Sequence, residues 1–491
     1  MTLPVDRTDD PSIEVESSPD TGPEAAPQVR RKDSPWRPLI LRLHFYAGVF
    51  IAPFLAVAAL TGLAYVFSPQ LDSIVYADEL HVDPAGRTAL PVADQVAAAR
   101  AAHPEGVVAE IVPGDSARDT TQVVLDVPGL TDDRQRTVYV DPYTAEVRGQ
   151  LDTWFGYTPV RTWLDDTHRN LQLGDWGRWY SETAASWLWV VVLGGLFLWW
   201  QQLRRRTRDA RGFLRRALTP DLSARKGVRR TRGWHAAVGV WLAVGLLFLS
   251  ATGLTWSRWA GGNFGEVLTA MNSNSPEVST TLGGGEHAGH AMGGEAGALP
   301  DEVGTLAGID DVIRAANRAG LSESLRLTPP DAEGSGWLVT EKDRSIPVHF
   351  DKAVVDPSTA EVTTVSRFGD WPFLAQVTSL GIAAHMGLLF GLANQLLLAA
   401  LAVGLLCVIF WGYRMWWQRR PTGTRFAVGS APQSGAWRRI PPVQLLFAIA
   451  ITVAVGWFMP ILGVTLVAFL VLDTVLGSRR RRAAVPSTEG N

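Results

Sequence analysis

The chain has 491 residues, 47% of them hydrophobic, with 45 Lys+Arg against 48 Asp+Glu and a formal net charge of −3. That balance gives no reason to expect a nucleic-acid partner. The single cysteine, Cys407, lies in an apolar run, which excludes disulfides, iron–sulfur clusters and Cys-x-x-Cys-His haem attachment. Cys407 reads as a packing residue.

Residues 1–35, rich in Pro, Asp, Glu and Ser, read as a disordered cytoplasmic tail with no cleavable signal peptide ahead of the first span. Residues 36–68 form the first apolar span, entered from Arg30, Arg31 and Lys32. A long polar segment follows (69–180), then a second span (181–203) stopped by Arg204, Arg205 and Arg206. After the basic loop 204–232 come a third span (233–258), a second polar segment (259–378) and a fourth span (379–417). Beyond the loop 418–442, residues 443–477 read as a two-span hairpin around Trp457 and Pro460, and residues 478–491 as a basic tail.

Charge orients these spans. Residues 201–232 carry 12 Lys+Arg against two acids, whereas residues 68–182 carry nine against 19 and residues 258–380 eight against 17. Short basic loops stay in the cytoplasm, so both termini are expected inside and both long acidic segments outside. Trp176, Trp179, Trp199, Trp200, Trp411, Trp416 and Trp417 cluster at span ends, as in an interfacial aromatic belt. The outer segments read as two small α+β domains. The first shows a helix over 91–103 and strands near 107–113, 121–127 and 136–141. The second shows a helix near 307–319 and strands near 323–328, 336–341, 346–350 and 360–366, preceded by a Gly/Ala-rich flexible insert over 271–300.

The two halves repeat one another. His44 and His235 are each followed by Gly at +4 (Gly48, Gly239) and by Thr-Gly at +17 and +18 (Thr61-Gly62, Thr252-Gly253). DPYTAEV (141–147) matches DPSTAEV (356–362). His168 and His385 share Gly at +6 and a Trp pair at +31 and +32. A span–domain–span unit used twice in one orientation has its copies related by an axis along the membrane normal, so equivalent residues lie at equal depth. His44 is expected to face His235 near the cytoplasmic edge, and His168 to face His385 near the outer edge.

An ionisable ring in hydrocarbon is costly and marks function. Two imidazoles at one depth suit the two axial positions of a haem iron, and without a thiol that haem is b-type; two layers point to two haems, with a single haem or an asymmetric pairing of the histidines as the alternatives. Gly48 and Gly239 would let a flat macrocycle approach or serve helix packing, and Thr61 and Thr252 read as packing residues. Arg42 and Arg232 are candidate propionate partners. The stretch THRNLQLGDWGRWY around His168 is more polar and is expected along the interface. His287, His290 and Met292 in EHAGHAM offer a candidate copper or iron site. His81, His103 and His349 read as ordinary outer-domain residues.

LHFYAGVFIAPFLAVAALTGLAYVF, VYVDPYTAEV, THRNLQLGD, GWHAAVGVWLAVGLLFLSATGL and AAHMGLLFGLANQ together resemble the PepSY-associated transmembrane family over roughly residues 36–420. These are often called iron-regulated membrane proteins, and some are inner-membrane ferrisiderophore reductases. The resemblance implies PepSY domains outside, a four-helix core and haem held by His44, His168, His235 and His385. Some members continue into a cytoplasmic flavin reductase domain; this chain ends instead in a hairpin, which leaves quinol or a cytoplasmic reductase as electron donor. The resulting expectation is a multi-span α-helical protein of the bacterial cytoplasmic membrane, two parallel repeats plus a C-terminal hairpin, carrying electrons from inner to outer haem and on to a ferric siderophore. The rival readings are a non-redox PepSY envelope protein and a copper-handling protein using the His/Met loop.

Overall fold

The structure, a computed structural model, describes residues 34–483 except 85, 132, 207–214, 216–217, 221–222, 224, 283–305, 307, 346–347, 421–431 and 433–434. The candidate metal loop His287, His290 and Met292 lies outside the described residues.

Pro53 shapes the entry into the membrane. The first apolar stretch is two helices, α1 (Arg37–Phe50) and α2 (Ala52–Tyr65), bent by 55°. Proline has no N–H to give to the carbonyl four residues back, and its ring crowds that carbonyl. The released Val49 carbonyl instead accepts the Tyr413 hydroxyl at 2.8 Å. The chain leaves the membrane through α3 (Ser68–Val75) and α4 (Ala77–Leu80) and returns through α6 (Pro159–Asn170) into α7 (Asp175–Arg206). In the second half α8 (Val228–Leu254) leads out through α9 (Ala260–Ala270), and α11 (Phe373–His385) leads back into α12 (Leu392–Gln418).

The fourth span therefore differs from the continuous 379–417 expected. It breaks over 386–391, where Gly387, Phe390 and Gly391 all take positive φ, and His385 ends a separate short helix. Three helices, α7, α8 and α12, are long and apolar enough to cross a membrane, and a fourth span is present if the bent pair α1–α2 counts as one. In the C-terminal hairpin, α13 (Pro442–Phe458) and the apolar part of α14 (Pro460–Ala483) are each shorter than the roughly 20 residues of a full crossing. By length and composition, three to four full-length spans and two shorter apolar helices, rather than the six spans expected, are therefore found among the described residues.

Inside the membrane region α1 packs on α7, α7 on α8, α8 on α12 and α12 on α2. Ala47, Leu55, Trp187, Leu188, Leu246 and Leu405 fill the space between them. The hairpin adds Leu462 to the same cluster and is fastened by polar contacts. Trp187 Nε1 donates to Thr465 Oγ1 at 2.8 Å, and the buried Arg42 guanidinium is held by Asp473, with Nε to Oδ1 at 2.9 Å.

The two polar segments, whose side of the molecule is called outer below, build one eight-stranded antiparallel sheet in the order β4-β3-β2-β1-β5-β6-β7-β8. The first supplies β1 (Val107–Val112), β2 (Thr121–Asp126), β3 (Gln135–Val140) and β4 (Val147–Thr153). The second supplies β5 (Leu325–Thr328), β6 (Trp337–Glu341), β7 (Lys352–Val355) and β8 (Val362–Ser366). The two segments read as separate domains are thus joined edge to edge, where Ile111 of β1 opposes Leu327 of β5. Helices α5 (Val92–Ala102) and α10 (Ile309–Arg318) bury Val96, Ala99, Ile309 and Val312 against Ile111, Leu327 and Trp337. The Asp310 carboxylate accepts the first free N–H groups of α5, from Val92 at 2.8 Å and Ala93 at 3.1 Å, so one half caps a helix of the other.

DPYTAEV and DPSTAEV form the β3–β4 and β7–β8 turns. Asp141 and Asp356 each accept the N–H two residues on (Tyr143 at 2.7 Å, Ser358 at 2.8 Å), and Ala145 and Ala360 both take positive φ. The strand expected at 346–350 is an isolated bridge between Asp343 and His349, with 346 and 347 outside the described residues; the ladder resumes at Lys352. Strand β4 was not anticipated because VRGQLDT alternates half-buried and exposed positions at a sheet edge.

Candidate functional site: paired imidazoles at two levels

His44 on α1 and His235 on α8 face each other, with ring centroids 6.3 Å apart and planes at 82°. His168 at the end of α6 and His385 at the end of α11 do the same, at 6.5 Å and 54°. Both expected pairings are thus present as contacts. Thr61, which touches His168, is 17 residues from His44. At about 1.5 Å of rise per residue, and allowing for the bend at Pro53, the two levels are roughly 23 Å apart.

The Nδ1 partners determine which ring nitrogen is free. His44 Nδ1 lies 3.0 Å from the Val191 carbonyl, and His235 Nδ1 3.0 Å from the Val408 carbonyl. A carbonyl only accepts, so both Nδ1 atoms carry the proton and both Nε2 atoms keep a lone pair. At the outer level His168 Nδ1 is 3.0 Å from Thr61 Oγ1, and His385 Nδ1 is 2.7 Å from Thr252 Oγ1. Each threonine hydroxyl already donates up its own helix, Thr61 to Val57 O at 2.9 Å and Thr252 to Phe248 O at 2.8 Å. It can therefore only accept from the imidazole, and the same tautomer follows. Four Nε2 lone pairs are available in two facing pairs.

Small residues make room for the rings. A Cβ on Gly195 would lie 3.1 Å from His44 Cε1, and one on Gly62 3.1 Å from His168 Cε1; the counterparts Gly412 and Gly253 leave 3.7 and 3.4 Å. Gly48 and Gly239 behave differently: a Cβ there meets nothing within 4 Å, so they border open space.

The outer pair lines a largely apolar cavity of about 230 Å³, together with Tyr65, Arg169, Arg178 and Glu182. Glu182 is nearly fully buried and caps α9, accepting from Trp259 N at 3.2 Å and Ala260 N at 3.0 Å. Arg169 and Arg178 are cations at this level that the sequence reading missed; their proximity to His168 in sequence was the available signal. Of the two arginines it selected, Arg42 is bound by Asp473 and by the Pro432 carbonyl, and Arg232 is half-buried near the start of α8. His81, His103 and His349 sit apart, beside Asp119 (3.4 Å), Glu105 (3.1 Å) and Asp343 (3.1 Å); the Asp343 carboxylate holds the His349 pKa above its ordinary value.

Two imidazoles are too few for a bare transition-metal ion, which wants about four or more ligands. Among the described residues no group of three or more His, Cys, Asp or Glu gathers to supply them. A macrocycle that brings its own four nitrogens needs only these two. Two imidazoles bound at about 2.0 Å from one iron place their ring centres about 6 Å apart, close to the separations found. Near the outer cavity Tyr65 Oη and Arg161 Nε and Nη2 are buried without a well-formed hydrogen bond, as suits a group with carboxylates of its own, whereas Arg169 is already paired with Asp165 and Asp166. The residues therefore fit a b-type haem. The outer cavity is smaller than the roughly 300–1,000 Å³ of most ligand pockets, so a bound macrocycle requires its helices to stand further apart than here.

The family model for the PepSY-associated TM region matches residues 41–419. The chain belongs to that family. The match contains all four paired histidines, the sheet and the four bundle-forming segments, and it ends before α13. The protein is accordingly a multi-pass membrane protein of the PepSY-associated type. No curated protein matches it.

Proposed function

We propose that this PepSY-associated protein carries electrons across the bacterial cytoplasmic membrane through two b-type haems, and that it reduces an external ferric siderophore or similar iron chelate. The observation that carries the reading is the set of four Nδ1-bonded imidazoles in two facing pairs. On this reading the two halves are parallel repeats around a four-helix core, with both termini and the basic loops inside and the sheet outside.

A b-type haem supplies a one-electron Fe(III)/Fe(II) couple when bound. The protein's own part is ligation and tuning. His44 and His235 hold the inner centre, with the Val191 and Val408 carbonyls fixing their rings. His168 and His385 hold the outer centre, oriented by Thr61 and Thr252. Arg178 would be available to an outer propionate, and Arg169 would have to share one with its partners Asp165 and Asp166. Electron transfer needs no proton-handling dyad, and buried apolar walls limit solvent around each centre. Reduction weakens chelation because Fe(III) holds hard oxygen ligands more strongly than Fe(II).

An apolar groove of about 780 Å³ between α1, α7 and α13 reaches His44, with Trp36 bonded to Gln444 at its edge. It supports a membrane quinol as donor over a soluble reductase. The hairpin that walls it lies beyond the family match.

The test is the dithionite-reduced spectrum of the purified protein, followed by His235→Ala. A spectrum that loses the inner component in the variant is the expected result. A colourless wild type, or an unchanged spectrum in the variant, removes the proposal in favour of a non-redox envelope role.

A further inference from the structure

The sheet face turned away from α5 and α10 carries an accumulation of cations above the outer histidine pair. Ile111 and Leu327 point into the core, so their neighbours Glu110 and Arg326 point to the other face, where they pair across the β1–β5 seam at 2.9 Å. Glu341 is buried and Lys342, next along, keeps an accessible side chain. Arg344 follows, and its carbonyl accepts the Phe390 N–H at 2.9 Å, which fastens this segment to the turn after His385. From the other half, the turn at Gly156 leaves Arg326 Nη1 3.5 Å from where a Cβ would sit. Arg161 lies over the rings of Tyr157 at 4.0 Å and Tyr65 at 5.8 Å, and Tyr65 lines the cavity of His168 and His385.

Four cations, Lys342, Arg326, Arg344 and Arg161, therefore run from the sheet to the outer cavity. Among the described residues only Arg326 of these four is ion-paired, with Glu110; Glu110 also acts on Lys342, and Asp72 and Asp165 act on Arg161. Arg161 has two buried nitrogens without a partner. Desolvation, then the charge of Arg326, pushes Lys342 down to about 8, and Arg344 is likewise disfavoured as a cation, by burial first. Holding unpaired cations together in a half-enclosed place is unfavourable unless an anion visits it.

We infer that this cleft docks a negatively charged ferric chelate with free carboxylates, placing its iron at the mouth of the His168–His385 cavity. The inference rests on the electron-transfer reading above. Guanidinium forks suit carboxylates, and Lys342 adds an accessible charge at the entrance. In the reaction one electron would take the docked Fe(III) to Fe(II), and a haem held by His168 and His385 would supply it, its own Fe(II) becoming Fe(III).

Ferric citrate titrated calorimetrically into the oxidised, detergent-solubilised full-length protein tests this without turnover. Against wild type, Lys342→Gln/Arg344→Gln should weaken binding about tenfold or more and flatten its salt dependence, while Lys342→Arg retains it. The haem spectrum and the affinity for an uncharged ferric trihydroxamate should stay as in wild type. Unaltered citrate affinity in the double variant overturns the docking site. Loss of outer-haem absorbance in it also does so, because the cations would then serve propionates. A wild type that binds citrate through these residues but contains no haem would instead sink the electron-transfer reading alone.

Discussion

The rings of His44 and His235 stand nearly perpendicular, at 82°, whereas those of His168 and His385 are tilted by 54°. If each pair holds a haem as proposed, the Nδ1 bonds should keep these ring angles. Perpendicular axial imidazoles leave two d orbitals of low-spin ferric iron closer in energy than less crossed ones do. The inner centre should therefore give the more anisotropic electron paramagnetic resonance signal. His44→Ala should remove that signal and leave the other; two indistinguishable signals would contradict the ring geometry.

Glycine contacts separate two otherwise matched positions. Adding a methyl at Gly195 brings carbon to 3.1 Å from His44, tighter than ordinary packing, whereas the same change at Gly412 leaves 3.7 Å to His235. Gly195→Ala should displace the His44 ring, lower inner-haem occupancy and shift its potential. Gly412→Ala should leave both near wild type. Haem content by pyridine haemochrome and a redox titration of each variant decide the matter, and equal effects would refute the difference in room.

Thr61 and Thr252 orient the outer imidazoles by accepting from Nδ1. Replacing either by valine keeps the shape and leaves a buried N–H without an acceptor. Loss of such an orienting partner typically costs 10–100-fold in affinity. Thr61→Val and Thr252→Val should each weaken outer-haem retention by about that factor, with the inner haem unaffected. Haem transfer to apomyoglobin provides the measurement; identical release rates in variant and wild type would show that the hydroxyls do not matter.

These threonines show where the sequence was informative. Their duplication with Gly62 and Gly253, at one offset from His44 and His235, was visible, but their contact with the other histidine pair was not. That contact depends on how α6 and α11 fold back against α2 and α8, and no helix period encodes it. The histidine contacts themselves were legible because His44 and His235, and likewise His168 and His385, share matching neighbours at the same offsets. The bend at Pro53 was legible in principle, since proline releases a carbonyl wherever it interrupts a helix. The break at 386–391 was harder: an apolar stretch with glycines reads as a continuing span, and only the positive φ values of Gly387, Phe390 and Gly391 end it. The joining of two domains into one sheet left no local mark, because the short runs of β1 and β5 carry no signal of the partner they meet at Ile111 and Leu327.

Arg42 and Asp473 tie the C-terminal hairpin to the bundle, and both are largely enclosed. Removing one member of a buried ion pair costs about 3–5 kcal/mol, because the other charge is left uncompensated, whereas replacing both with apolar groups is often neutral. Asp473→Ala should lower the thermal stability of the detergent-solubilised protein and make α14 more accessible to protease. Arg42→Met/Asp473→Leu should recover most of the loss. A double variant no better than the single would mean that the pair contributes nothing to hairpin docking.

Lys342 gives the cleft a pH dependence whose sign is fixed. Its pKa, about 8 against an ordinary 10.5, is lowered by desolvation and by Arg326, Arg344 and Lys352, and Glu110 opposes them. Between those two values the unfolded chain holds more protons than the folded one, so this group alone makes stability rise with pH. Anion binding runs the opposite way, because the attraction requires the charged amine and is lost as pH climbs through about 8. A bound carboxylate restores part of the proton affinity, which moves the midpoint upward. Ferric citrate affinity should thus hold steady up to about pH 8 and fall as pH rises further in wild type. In Lys342→Arg it should stay flat, since a guanidinium does not titrate there. Calorimetry across that range is the check, and a wild-type profile as flat as that of the variant would show that Lys342 does not contact the anion.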